Sequence, residues 1–435
     1  MQRVLILGGG FGGIYAALRL QSRLRGRADV DVTLVNRENF FLLTSMLPQV
    51  AASGVDTRHI VAAIRRVCPR IQFFEAEVEK IDLERRTVVI SHGQALRRQL
   101  DYDYLLLALG GVTNFFGIPG VEQNALTIKS LSDAVRLRNH ALDMLEQAEM
   151  EPDAQLRKER LSFVVVGAGF AGVETAAELD LFMRNAARSY KSFTPEDIRT
   201  TIVDMQLRVL PELSERLGRI THDTLAKRGV QFRLGAQVAS ADARGVNLVG
   251  GERIPSRTLV WAGGVGRNPL IASLPGASPK GRMPTTSTLQ VQGQNNVWAV
   301  GDCAEIPDPA GKSYPPTAQH ALREGTHAGN NILAAIDGQP QQPFKYKMLG
   351  QMADLGQHSA VAMVGGVKVS GFPAWWLWRT YYLLRLPTLD KKIRVAIDWT
   401  LDFFFARDTV RLAFEEADLE GRINQSQEFA NPHSR

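Results

Sequence analysis

Val4-Leu5-Ile6-Leu7-Gly8-Gly9-Gly10-Phe11-Gly12-Gly13 decides the fold. A short continuous apolar run reads as a strand buried on both faces, and the residues after it read as a crossover helix. Between them stand Gly8, Gly10 and Gly13 in the spacing Gly-x-Gly-x-x-Gly, with Gly12 inside it. The first glycine permits a tight turn. The second lets the backbone approach a pyrophosphate, and the third lets the helix pack on the strand. The helix start then offers free N–H groups and a positive dipole end to an anion. Alone, this spacing is a weak signal. Placed between a strand and a helix, and repeated, it is specific.

The repeat is Phe163-Val164-Val165-Val166-Gly167-Ala168-Gly169-Phe170-Ala171-Gly172. Each unit runs on to a second strand, Val32–Asn36 in the first and Thr201–Asp204 in the second. The residue ending that strand is positioned to grip a ribose. In the first unit it is the amide Asn36, followed by Arg37. In the second it is Asp204, which can accept from both ribose hydroxyls and would repel a 2′-phosphate. NADH is therefore expected over NADPH, with Arg208 as the opposing charge nearby. Three more apolar runs end at glycines: at Gly110, at Gly263-Gly264 and at Gly301-Asp302-Cys303. Asp302 can reach a ribityl hydroxyl of a flavin, and a helix start beside it would face the pyrimidine end. Glu174, one turn into the second unit's helix, either complements the helix dipole, or contacts the nicotinamide amide, or gates access near the flavin.

Composition agrees with a folded enzyme. The chain has 435 residues, 45% hydrophobic and 22% charged, which suggests two or three domains and excludes disorder. Fifty-one basic against 45 acidic residues give +6, too diffuse to argue for nucleic acid. The two cysteines, Cys68 and Cys303, exclude a disulfide framework and a CxxC motif and point to a reducing compartment. No metal site is expected, nor a signal peptide or a spanning helix.

At these residues the chain resembles the type II, non-proton-pumping NADH:quinone oxidoreductases, two-dinucleotide-binding-domain flavoproteins. The likeness is carried by the two glycine loops, residues 40–53, 203–211, 260–265, 297–305 and 315–325, and the aromatic tail. It implies an α/β fold of two Rossmann-like domains, FAD in the first and NADH in the second. The expected boundaries are 1–120 with 280–345 for FAD, 121–279 for NADH, and 346–435 for a C-terminal membrane-associating or dimerising region. The resemblance also implies hydride transfer from NADH to FAD and two-electron reduction of a membrane quinone, by a homodimer on the cytoplasmic face. Glu174 and Gln319 are the catalytic candidates. The family's quinone motif reads Ala-Gln-x-Ala-x-Gln. Ala318, Gln319 and Ala321 match it, His320 lies within it, and Arg323 replaces the second glutamine. Arg323 either stabilises a reduced quinone anion or marks a different acceptor.

Residues 367–412 hold Phe372, Trp375, Trp376, Trp378, Tyr381, Tyr382, Trp399 and Phe403 to Phe405. Trp and Tyr suit a headgroup level, and Lys and Arg can snorkel to phosphates. Arg394, Asp398 and Asp402 form a polar stripe, with Ile393, Ile397, Leu401, Phe404 and Phe405 apolar. The competing reading packs these aromatics on the protein or on a second subunit. Two other functions are weighed. A sulfide:quinone oxidoreductase needs at least two cooperating cysteines. A non-catalytic FAD- and NADH-binding redox sensor would show slow flavin reduction.

Overall fold

The computed structural model describes residues 1–93 and 95–411. The first unit is a parallel sheet of β1 (Gln2–Leu7), β2 (Val30–Asn36), β3 (Gln72–Glu75) and β4 (Tyr104–Leu107). Val297–Ala299, from far along the chain, completes its edge, so the order is Val297–Ala299, β4, β1, β2, β3. Ile6, Leu7, Leu34 and Leu105 to Leu107 are fully buried, as strands covered on both faces require. After β1 comes α1 (Phe11–Arg23), and after β2 comes the short α2 (Leu47–Ala51).

A long helix, α3 (Leu131–Met150), crosses to the second unit. It starts at a capping box in which the Ser130 hydroxyl accepts from the Asp133 amide and Asp133 reaches back. The second sheet contains β5 (Ala125–Thr127), β6 (Ser162–Val166), β7 (Arg199–Asp204), β8 (Gln231–Leu234) and β9 (Thr258–Trp261), in the order β5, β9, β6, β7, β8. This order repeats the first, strand for strand. Only the source of the edge differs: the preceding chain supplies β5, whereas the following chain supplies Val297–Ala299. Each unit also inserts a three-stranded antiparallel sheet before its fourth strand, within 77–101 and 238–255.

The segment from Glu146 to Arg160, whose charges and Pro152 suit a solvated helix end or a connection, is mostly helical. α3 runs through Met150, and Asp153 caps another helix, Ala154–Arg160, across the Pro152 break. Residues 184–199 begin inside α4 (Phe170–Ala187), pass through a short 3-10 turn and reach the start of β7.

The chain returns to the first unit through α5 (Ala318–Ile336), which packs along α1. It then forms a small antiparallel sheet, β10 (Gly350–Asp354), β11 (Ala360–Val364) and β12 (Val367–Gly371), followed by α6 (Phe372–Arg385) and α7 (Leu389–Phe404). Trp375, Trp378, Val395 and Trp399 are buried in one core with α2, α3 and α4. The tail is thus split by face: these aromatics are core, while Phe372, Trp376, Phe404 and Phe405 are more than half exposed. Most of the polar stripe turns inward. Asp398 accepts from the Asp56 amide and pairs with His59, and Asp402 pairs with Arg407, while Arg394 stays exposed. Residues 425–435, expected to fray, lie outside the described residues.

The α1–α5 contact has no slack. A Cβ on Gly325 would lie 2.0 Å from the Gly12 carbonyl oxygen. Gly325→Ala should therefore force the helices apart and cost roughly 1–3 kcal/mol, read as a fall in melting temperature.

Candidate active site

The two glycine loops are built alike. A Cβ on Gly13 would lie 1.8 Å from the Gly8 carbonyl oxygen, and one on Gly172 would lie 1.9 Å from that of Gly167. Gly8 and Gly167 turn with φ of +105° and +117°. Each loop is held by the residue ending the next strand. The Gly9 amide donates to Asn36 Oδ1 at 2.7 Å, and the Ala168 amide donates to Asp204 Oδ2 at 2.5 Å.

This finding refines the ribose reading. Both side-chain ends of Asn36 serve the chain itself, since its Nδ2 also donates to the Glu38 carbonyl. Asp204 Oδ1 takes the Gln206 amide, and the carboxylate keeps lone pairs for a ribose. Arg208 is spent on the carbonyls of Leu213 and Pro211. Its guanidinium is committed to its own loop and not to a 2′-phosphate. Arg37 stands at the surface near Glu77, 3.8 Å away.

A cleft of about 1410 Å³ runs beside the first loop. Gly8, Gly10 and Gly12, with Asn36 and Arg37, line it together with Gly110, Lys129, Gly301, Asp302 and Ala321. Its shape and chemistry suit an anionic dinucleotide such as FAD. The helix start at Gly10 has no side-chain cap, leaving its N–H groups for a pyrophosphate. Lys129 Nζ is buried with no hydrogen-bond partner. Burial lowers the Lys129 pKa, and Asp302, then Asp133, raise it. Asp302 itself is raised by burial and restrained by Lys129 and Arg282. Sequence reasoning missed Lys129, because a lone lysine between a strand and a helix cap carries no spacing signal.

In the second unit Gly169 begins α4, likewise without a side-chain cap. Gly263 packs on the Trp261 ring and Gly264 on the Phe116 ring. Glu174 is not among the residues lining the cleft. It is 7% exposed, and its Oε1 accepts from the Asp354 amide at 2.9 Å and from Trp378 Nε1 at 3.1 Å. Burial pushes its carboxyl well above the ordinary range. Beside it, Gln49 bridges Asp354 and Trp399. Glu178 takes Arg407 Nη1 at 2.5 Å, and the same guanidinium reaches Asp402 and the Ala52 carbonyl. Burial lowers the Arg407 pKa, but Glu178 and Asp402 outweigh it and keep the group charged. The C-terminal layer is thereby bolted to α2 and α4.

The motif residues of α5 lie where α1, α5 and the C-terminal layer meet. Gln319 Nε2 donates to the Gly350 carbonyl at 2.9 Å, and its Oε1 accepts from Tyr346 Oη at 3.2 Å. Arg323 lies 4.2 Å over the Tyr346 ring and donates to the Gln319 carbonyl. Arg385, ending α6, bonds to Tyr15 of α1 in the same corner. His320 is buried between the Tyr314 and Tyr346 rings. Burial, then Arg323, pushes it down to about 4, so it is neutral at pH 7. Neither cysteine is poised for thiol chemistry: burial pushes Cys68 up to about 12 and Cys303 up to about 11.

Residues 2–325 match the pyridine nucleotide-disulphide oxidoreductase family, and residues 348–408 match the NDH2 C-terminal domain. A Mycobacterium tuberculosis type II NADH:quinone oxidoreductase, NdhA, is 33% identical over 92% of this chain and 87% of its own. The Synechocystis demethylphylloquinone reductase NdbB is 32% identical over 91% and 95%. NDH2 of Plasmodium falciparum, solved with NADH, superposes with a TM-score of 0.87 at 22% identity, covering 94% of this chain and 99% of that one.

Two substitutions separate the duties of Asp204. Asp204→Asn keeps an acceptor for the Ala168 amide but loses the charge, so discrimination against NADPH should narrow while NADH turnover survives. Asp204→Ala loses both, and KM for NADH should rise roughly tenfold or more while kcat falls less. Steady-state kinetics with both nucleotides check this.

Proposed function

The chain belongs to the type II NADH:quinone oxidoreductases of the pyridine nucleotide-disulphide oxidoreductase family, and we propose from that premise how its residues divide the work. The protein oxidises NADH and reduces a quinone through FAD, without pumping protons. FAD, when bound, accepts a hydride from NADH and passes two electrons on. The observation that carries the assignment of residues is the cleft that joins an uncapped glycine-loop helix to Lys129 and Gly301-Asp302.

In this reading the Gly8–Gly13 loop and the start of α1 hold the FAD pyrophosphate, and Asn36 braces that loop. Asp302 takes a ribityl hydroxyl, and Gly110 and Gly301 let the backbone close on the ring system. NADH sits on the Gly167–Gly172 loop with its ribose on Asp204 and its nicotinamide end by Gly263 and Gly264. Proximity supplies most of the hydride-transfer rate. Glu174 acts through the C-terminal layer that its carboxyl anchors. The quinone head group enters the corner of Gln319, Arg323 and Tyr346. There the Arg323 guanidinium offers positive charge to a reduced, anionic quinone oxygen. His320, neutral and buried, shapes that wall.

We further propose that the outer face of α6 and α7 lies on the membrane. No helix among the described residues is long and apolar enough to cross a membrane. Leu389, Ile393, Ile397, Leu401 and Phe404 project from one side of α7 and are all about half exposed or more. Lys392 and Arg394 flank them and suit anionic headgroups. A second copy of the chain, the expected homodimer, is the competing cover for this face. We place the enzyme on the cytoplasmic face, where its two free thiols meet a reducing compartment.

The test is anaerobic stopped-flow. Yellow holoprotein should bleach with NADH and recover its colour with quinone. Gln319→Leu should leave bleaching intact and slow recovery at least tenfold. If bleaching fails instead, the site is misplaced.

Removing residues 393–435 would also tear out Trp399 and Arg407, so surface changes are the cleaner probe of the membrane. Ile397→Asp with Leu401→Asp should release the enzyme from anionic vesicles in a flotation assay. If the variant becomes monomeric with vesicle binding unchanged, the face belongs to the dimer.

A further inference from the structure

Glu324 is a buried carboxyl that the steps above leave unused. It is 2% exposed on α5, and its Oε2 accepts from the Gly301 amide at 2.8 Å. Gly301, at φ +71°, and Asp302 line the cleft. The next residue, Gly325, is pressed on the Gly12 carbonyl of the glycine loop. One turn of α5 therefore touches both cofactor loops, the glycine loop by backbone and the Gly301 loop by the Glu324 carboxyl. Helix α5 has no freedom to slide away.

The electrostatic surroundings are one-sided. Among the described residues no cation forms an ion pair with Glu324. Asp302, on the adjoining turn, is a like charge. Lys129 and Arg282 face Asp302. On α5 itself His320 is neutral and Arg323 is turned to Tyr346. The titratable groups of α1 are Tyr15, bonded to Arg385, Arg19, bonded to Asn330, and Arg23 at the helix end. Burial raises the Glu324 carboxyl to about 7, the Gly301 amide opposing and Asp302 adding to the rise. Such a group is half-charged near neutral pH, and any added negative charge in the cleft favours its protonated form.

We propose that Glu324 is a positioning residue for Gly301 that also binds one proton when the cofactor beside Asp302 is reduced. The proposal rests on the reading that the cleft holds FAD. The balance is simple. A hydride from NADH brings two electrons and one proton, which leaves one net negative charge in the cleft. The Glu324 carboxylate takes one proton from solvent and cancels it. Reduction of a quinone to its quinol removes two electrons and two protons, after which Glu324 is again ionised.

Glu324→Gln keeps an oxygen acceptor for Gly301 and abolishes titration. Spectroelectrochemical titration of the yellow holoprotein from pH 6 to 8 should show a midpoint potential that falls more steeply in the wild type than in the variant. The difference approaches one proton per two electrons. Equal slopes in the two proteins overturn the proposal. Should the variant fail to fold, the wild type answers by itself. Its reduced-minus-oxidised infrared spectrum should gain a protonated-carboxyl C=O band, and absence of that band overturns the proposal equally. A protein that binds no flavin overturns the FAD reading instead, and the two failures are told apart by colour alone.

Discussion

The tightest constraint in the molecule is the approach of backbone to backbone at the glycine loops. With a Cβ excluded at Gly13 and Gly172, each helix starts almost on top of its strand, and its first N–H groups converge on one point. Gly12 and Gly325 extend the same contact to α5. That brings Ala321 to the cleft wall beside Gly301, with Glu324 buried behind it on the Gly301 amide. A methyl group at Gly12, Gly13 or Gly325 would push the glycine loop, β1 and α5 apart. The geometry of the whole cleft follows from a handful of missing side chains.

Duplication gives the two units one topology and one bracing device, and single residues then separate their roles. Asn36 and Asp204 occupy equivalent strand ends and make the same hydrogen bond to the second residue of their loops. Each has one hydrogen bond at either end of its side chain, and what separates them is that Asp204 carries a charge and accepts at both ends. The first unit adds to its loop a deep cleft lined by Lys129 and by Ala321 of the returning α5, a setting that suits a resident cofactor. The second places the charge of Asp204 beside its loop, a setting that suits an exchanging dinucleotide.

Much of this was legible in the chain. Strand, glycines and helix follow one another in sequence, so local patterning was enough to find both units and the turn at Gly301-Asp302. What stayed hidden was long-range pairing. Nothing in the spacing says that Asn36 turns its oxygen to Gly9, that Arg208 spends its charge on Pro211 and Leu213, or that Glu324 meets Gly301. Each is one polar residue whose partner is set by packing. Glu174 shows the limit best. Its place in the first turns of α4 suggested a helix-dipole acid, a contact with nicotinamide or a gate near the flavin, and none of these readings names its hydrogen-bond partners, Asp354 and Trp378, some 200 positions away in a layer that local patterning could not dock.

The same limit explains α7. By periodicity it is amphipathic, and an amphipathic helix ordinarily turns its polar stripe to water. Here Asp398 and Asp402 face the protein because Arg407 and His59 stand there, and Arg407 must also answer the buried Glu178. A buried carboxylate left alone costs several kcal/mol, and removing one partner of a buried pair costs about 3–5 kcal/mol. The network therefore fixes the helix's rotation more strongly than apolar burial opposes it. Once the acids are turned inward, Ile393, Ile397, Leu401 and Phe404 have only the outside left. The exposed apolar face is in this sense a consequence of the buried charges, and whatever covers it is coupled through Arg407 to the helix that begins at the NADH loop.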